Sequence, residues 1–115
     1  MIEWKLNKRR KPLILNGARQ VGKTYVLQEF AKQEFSKYVY VSLDRNEKAK
    51  KILESEASVQ SIILTLSALT GIDITPNETL IIIDEIQESP KALNVLKFFC
   101  EDAPEYPIVV AGSLL

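Results

Sequence analysis

The chain has 115 residues, the length of one domain, and its 15 basic and 15 acidic side chains give a formal net charge of zero. This balance argues against binding nucleic acid or a membrane through bulk charge, although it leaves room for a local patch. The sequence has no histidine and one cysteine, Cys100, which excludes an internal disulfide and a histidine-activated thiol. We therefore expect Cys100 to be a buried structural thiol.

The N-terminal segment has charged residues but no apolar core of a secretory signal, and residues 2–9 are predicted to form a short helix. A basic loop closed by Pro12 follows, and Leu13–Asn16 is predicted to be a buried strand. Lys23–Phe35 has the apolar spacing of a helix. No apolar run approaches the roughly 18 residues of a membrane span, so we expect a cytoplasmic protein without a membrane partner.

The middle of the chain contains one predicted strand and two predicted helices. Tyr38–Ser42 is aromatic and β-branched, as strands are, and Asn46–Glu54 has a helical pattern. Ser58–Leu69 carries an apolar stripe at helical spacing, with Ser58 as the expected N-cap.

The last third contains two more predicted strands, Leu80–Asp84 and Ile108–Gly112, both almost wholly apolar. Between them, a helix is predicted to begin with Ser89 as N-cap and Pro90 at its first position, and to end at about Asp102. Uniformly apolar strands that alternate with helices indicate an α/β fold, with a parallel sheet covered by helices on both faces.

The loop before the first long helix reads GARQVGKT, which fits the phosphate-binding pattern G-x-x-x-x-G-K-T. Its glycines let the backbone curl, so that N–H groups and the positive end of the helix dipole face one anion. Lys23 is expected to place its charge between the β- and γ-phosphates, and Thr24 to offer its hydroxyl to Mg²⁺. The predicted nucleotide contacts are Gly17, Ala18, Arg19, Gln20, Val21, Gly22, Lys23, Thr24 and Tyr25, with the Arg19 side chain expected to face solvent.

Two adjacent carboxylates, Asp84 and Glu85, follow the apolar run of the third strand. An aspartate at this place in a phosphate-binding fold holds Mg²⁺ directly or through water. The glutamate can orient and deprotonate an attacking water. Each residue alone could be an ordinary cap of a strand, but the pair downstream of the loop favours hydrolysis of a nucleotide.

Other polar residues lie near predicted strand ends. Ser113 follows the fourth strand, where it could contact the γ-phosphate or the attacking water, or be an ordinary turn serine. Ser42 and Asp44 could hold Glu85, but a cap or turn role is favoured. Gln87 is expected to be an exposed polar residue.

The segments NGARQVGKTYVLQEF and LIIIDEIQESPKALNVLKFFCEDAPEYPIVVAGSLL, with the N-terminal tryptophan segment, resemble the prokaryotic AAA-type ATPases that carry a second, C-terminal domain of unknown function. The resemblance covers nearly the whole chain. It implies Lys23 and Thr24 as Walker A residues, Asp84 and Glu85 as Walker B residues, and Ser113 as sensor 1. It also implies ATP with Mg²⁺, and a three-layer α/β/α P-loop NTPase sandwich with strand order 5-1-4-3-2.

The chain differs from that family in length, because it ends two residues after Ser113. We therefore expect residues 1–115 to be a partial ATPase core with four strands in the order 1-4-3-2, the fifth strand being absent. The first strand would then be an apolar sheet edge, and such an edge favours self-association by strand pairing or segment swapping.

The leading functional hypothesis is ATP binding and Mg²⁺-dependent ATP hydrolysis by the intact protein. For the fragment, ATP binding without hydrolysis stays open. One alternative is a small-molecule kinase, although no arginine-bearing lid insertion is visible. Another is a nucleotide-gated module that contacts protein or nucleic acid without turnover. The sequence by itself does not distinguish ATP from GTP.

Overall fold

The computed structural model describes residues 13–16, 21–55 and 57–112. In these ranges the chain forms four strands, four α-helices and one 3₁₀ turn, in the predicted alternating order. They are β1 (Leu13–Asn16), α1 (Val21–Glu34), β2 (Lys37–Ser42), α2 (Glu47–Glu54), α3 (Val59–Thr70), β3 (Thr79–Asp84), the 3₁₀ turn (Ile86–Glu88), α4 (Pro90–Asp102) and β4 (Ile108–Gly112).

The four strands form one parallel sheet in the order β1-β4-β3-β2. Both the parallel direction and this order were predicted. In the register of the sheet, Ser42 lies beside Asp84, and Asn16 lies beside Gly112. The carboxyl ends of the four strands therefore meet along one edge of the sheet.

Both faces of the sheet are covered, which explains why the two central strands are apolar at almost every position. β3 and β4 are buried along their whole lengths. On one face Ile81, Ile83 and Val110 pack in a large core with side chains of α2, α3 and α4. On the other face Leu80 and Ile82 belong to a smaller core with side chains of α1. This is the predicted three-layer arrangement.

Local capping accounts for the starts of three helices. The predicted caps are confirmed, because the side chain of Ser58 accepts a hydrogen bond from the Ser61 amide, and that of Ser89 accepts one from Ala92. Asn46 is the N-cap of α2, with its side chain accepting from the Ala49 amide at 3.0 Å. Each cap binds an amide that the helix leaves unpaired.

The structure differs from the sequence-based boundaries by one or two residues. The helix α1 begins at Val21 rather than Lys23, and β2 and β3 each start one residue earlier than predicted. The 3₁₀ turn was not predicted, because three residues are too few to show a periodic pattern. The helix predicted at residues 2–9 lies outside the described residues. Cys100 is a buried thiol, as expected.

Within the described ranges, none of the helices combines the length and the apolar composition that crossing a membrane requires.

Candidate active site

The candidate site lies at the carboxyl edge of the sheet, where β1 leads into α1. β1 ends at Asn16 and α1 begins at Val21, so the start of α1 lies at this edge. The first turn of α1 contains Lys23, and Thr24 is its fourth residue. The predicted loop residues 17–20 and Ser113 are outside the described residues. The start of α1, where the sequence predicts phosphate binding, thus lies at the same edge at which β3 ends in Asp84.

Asp84 lies on the face of the sheet that α1 covers. Its side chain follows the alternation of Leu80 and Ile82, which pack in the α1-side core. Its hydrogen-bond donor Tyr40 packs against that same core. The sheet therefore presents this carboxylate to the layer that contains the start of α1, where the sequence predicts phosphate binding.

Asp84 is 3% exposed, and both of its carboxylate oxygens accept hydrogen bonds. The Tyr40 hydroxyl donates to Oδ2 at 2.5 Å, and the Glu85 amide donates to Oδ1 at 2.8 Å. A buried carboxylate needs such donors because it has lost water. These two hydrogen bonds help to fix the position of the carboxylate at the end of β3.

Glu85 has an unusual backbone conformation. Its φ of 57° and ψ of 46° place it in the left-handed region, between the end of β3 and the 3₁₀ turn. Residues other than glycine seldom adopt this backbone conformation, and those that do are concentrated at functional sites. The side chain is 6% exposed, and its Oε2 accepts a hydrogen bond from Gln87 Nε2 at 2.8 Å.

Ser42 and Asp44 have the turn role that the sequence favoured. The Ser42 hydroxyl donates to Asp44 Oδ1, and the Ser42 carbonyl accepts from the Asn46 amide. The Leu43 amide donates to the Asp84 carbonyl at 3.0 Å. The turn thus ties the end of β2 to the end of β3 and supports the backbone on which Asp84 sits.

The prediction that Gln87 is an exposed polar residue was wrong. Gln87 is half-buried, and its amide is bonded to Glu85. Its Oε1 also lies close to Gly112 at the end of β4. The spacing of Glu85 and Gln87 in DEIQ was visible in the sequence, but their contact depends on the left-handed turn at Glu85.

The donor set suits a hard cation and a phosphate chain. Asp84 offers carboxylate oxygen, which Mg²⁺ prefers, and the start of α1 offers unpaired amides to an anion. Among the described residues, no group of three or more His, Cys, Asp or Glu forms a metal site by itself.

Comparison with known protein families identifies the family to which this chain belongs. The AAA domain family matches residues 9–115, a range that includes the GARQVGKT loop, the carboxylate pair and Ser113. Among curated proteins, no sequence matches the chain. The family match agrees with the parallel sheet, with the position of α1 and with the resemblance seen in the sequence. The chain therefore belongs to the AAA domain family, and its fold is that of a nucleotide-binding, ATPase-like protein.

Proposed function

We propose that the protein binds ATP with Mg²⁺ at the carboxyl edge of its sheet and hydrolyses it to ADP and phosphate. The observation that carries the proposal is the buried pair Asp84 and Glu85 at the end of β3, with Asp84 on the face covered by α1. Binding a phosphate chain requires only the loop and the helix end. Two adjacent carboxylates held at the same edge favour hydrolysis.

The binding part of the mechanism uses the loop and α1. Backbone amides at the start of α1 bind phosphate oxygens, and the helix dipole favours their negative charge. Lys23 contributes a positive charge to the β- and γ-phosphates, while Thr24 and Asp84 hold the cation. Mg²⁺, when held there, would neutralise part of the charge that develops on the phosphate oxygens.

Glu85 performs the proton transfer. It orients a water molecule in line with the γ-phosphorus and accepts a proton as the water oxygen bonds to phosphorus. The bond from the γ-phosphorus to the bridging oxygen breaks, and ADP leaves with the electron pair. Ser113, as the sensor-1 residue, contacts the γ-phosphate or the attacking water. Positioning and charge stabilisation supply most of the rate in this type of reaction.

The proposal is tested by titrating Mg-ATP and Mg-GTP against the wild-type chain, Lys23→Ala and Glu85→Gln, following nucleotide binding and phosphate release. We expect the wild type to bind and hydrolyse ATP, and Lys23→Ala to lose binding. Glu85→Gln keeps the shape of the side chain but cannot accept a proton, so it should bind normally and release phosphate about 100-fold more slowly.

Three results would replace this proposal. Equally slow phosphate release by the wild type and Glu85→Gln would identify a binding module without turnover. Transfer of the labelled γ-phosphate to an added small-molecule acceptor, with no free phosphate, would identify a kinase. Preference for Mg-GTP would change the substrate.

The position of β1 at one end of the described sheet supports a further proposal about partners. Among the described residues β1 pairs with β4 alone, and the outer edge of such a strand can accept a second strand through its amides and carbonyls. We propose that two copies associate through this edge. Light scattering across a concentration series should show dimers, and a monomer at high concentration would contradict the proposal.

A further inference from the structure

Gln87 lies between the candidate base and the last strand of the sheet. Its Nε2 donates to Glu85 Oε2 at 2.8 Å, and its Oε1 faces the backbone at Gly112. One end of this amide is thus hydrogen-bonded to Glu85, and the other lies close to Gly112 at the carboxyl edge. Gly112 ends β4 and immediately precedes Ser113 in the sequence.

Gly112 has space for Gln87 only because it lacks a side chain. A Cβ at this position would lie 2.4 Å from Gln87 Oε1 and 3.0 Å from Ile86 Cγ2. Contacts below about 3 Å between a carbon and another heavy atom are repulsive. The nearer atom is the end of a flexible side chain, so an added methyl group would displace the Gln87 amide before it disturbed the sheet.

We propose that Gln87 is a positioning residue that orients the Glu85 carboxylate to accept a proton from the attacking water, and that it ties this orientation to the end of β4. The inference rests on the proposed function, because it assigns the orientation of the base in that reaction. A glutamate side chain has three rotatable bonds, and one hydrogen bond to Oε2 restricts them. Reactions of this kind are sensitive to displacements of about 1 Å.

An amide suits this role better than a cationic side chain. The neutral Gln87 amide donates a hydrogen bond to Glu85 without adding a positive charge beside it. A lysine or arginine at the same place would form an ion pair with Glu85 and place a positive charge beside a cation site. The closeness of Asp84 makes this distinction important, since both carboxylates occupy the same buried edge.

The first test compares Gln87→Ala with Glu88→Ala. Glu88 is the matched control, because it is exposed and belongs to the same 3₁₀ turn. We expect Gln87→Ala to lower kcat about 10-fold or more, with KM and the Kd for Mg-ATP unchanged, because a misplaced base affects the transition state alone. Glu88→Ala should leave kcat unchanged.

The second test uses Gly112→Ala, alone and combined with Gln87→Ala, as a double-mutant cycle. Gly112→Ala should lower kcat by displacing the amide, whereas in the Gln87→Ala background it should lower kcat little further. The remaining contact with Ile86 is present in both backgrounds and cancels in the cycle. Effects that multiply fully would overturn the proposed link between Gly112 and Gln87.

A spectroscopic measurement follows the contact without turnover. The Gln87 side-chain amide gives a pair of ¹⁵N–¹H resonances, identified by their loss in Gln87→Ala. These resonances should shift in Glu85→Gln and in Gly112→Ala, but not in Glu88→Ala. Unchanged resonances in the first two variants would overturn the inference.

The failure of this inference and of the proposed function can be told apart. A wild-type chain that releases no phosphate refutes the proposed function, and the catalytic role of Gln87 is refuted with it. A Gln87→Ala variant with the kcat of an active wild type refutes only the role of Gln87.

Discussion

The hydrogen bond from Tyr40 to Asp84 can be removed by one substitution that keeps almost every other contact. Tyr40→Phe deletes the hydroxyl that donates to Asp84 Oδ2 at 2.5 Å and keeps the ring that packs against the α1-side core. We expect the free energy of unfolding to fall, because a carboxylate that is 3% exposed loses a donor that water does not readily replace.

The magnitude follows from the type of bond and the remaining donor. Hydrogen bonds to charged groups contribute about 1.5–3 kcal/mol to stability. Asp84 keeps the bond from the Glu85 amide at 2.8 Å, and the bond that is lost is only partly buried. We therefore expect a loss near the lower end, about 1.5–2 kcal/mol. For a domain of this size that corresponds to a fall in Tm of roughly 6–8 °C.

The assay is urea denaturation of the wild type, Tyr40→Phe and the control Tyr38→Phe. Tyr38 lies two residues earlier on β2 and packs against the same core, and its hydroxyl has no hydrogen bond to another residue of the described ranges. Tyr40→Phe should lower the midpoint without changing the slope m, whereas Tyr38→Phe should change stability by less than about 0.5 kcal/mol. Equal losses in the two variants would refute the role assigned to the Tyr40 hydroxyl.

Two further predictions concern the core and the helix caps, and urea denaturation measures both. Leu96→Ala should destabilise the chain by about 2–5 kcal/mol because Leu96 is 1% exposed. Leu64 is 68% exposed on α3, so Leu64→Ala should change stability by less than about 0.5 kcal/mol. Similar losses of stability in the two variants would contradict the assignment of Leu96 to the core. Ser89→Ala should lower stability by about 2 kcal/mol, because the buried Ser89 hydroxyl caps α4 and also donates to Glu54 Oε2. Asn46→Ala removes only the cap of α2 and should have about half that effect, so the reverse order would count against this account.

Features set by neighbouring residues were predictable from the sequence. Leu80–Asp84 is a run of apolar residues ending in a carboxylate, and it forms a buried central strand as expected. Ser58 and Ser89 precede helical patterns and cap those helices. The strand order 1-4-3-2 came from the family resemblance rather than from any local pattern, and the structure confirms it.

The contacts around the carboxylates were not predictable, because they depend on long-range register and on one backbone angle. Tyr40 and Asp84 are 44 residues apart, and only the pairing of β2 with β3 brings them together. Gln87 meets Gly112 because the chain turns at Glu85 and because β4 lies beside β3. A single sequence gives propensities for the strands but not the register that decides these pairs.

The left-handed conformation of Glu85 sets the stability of the protein against its proposed activity. A non-glycine residue in this conformation costs on the order of 1 kcal/mol, and glycine or asparagine would occupy it more easily. A laboratory selection for heat resistance alone would therefore enrich replacements at this residue and discard the candidate base with them. Recovering glutamate there under combined selection for heat resistance and phosphate release would show that activity keeps it in place.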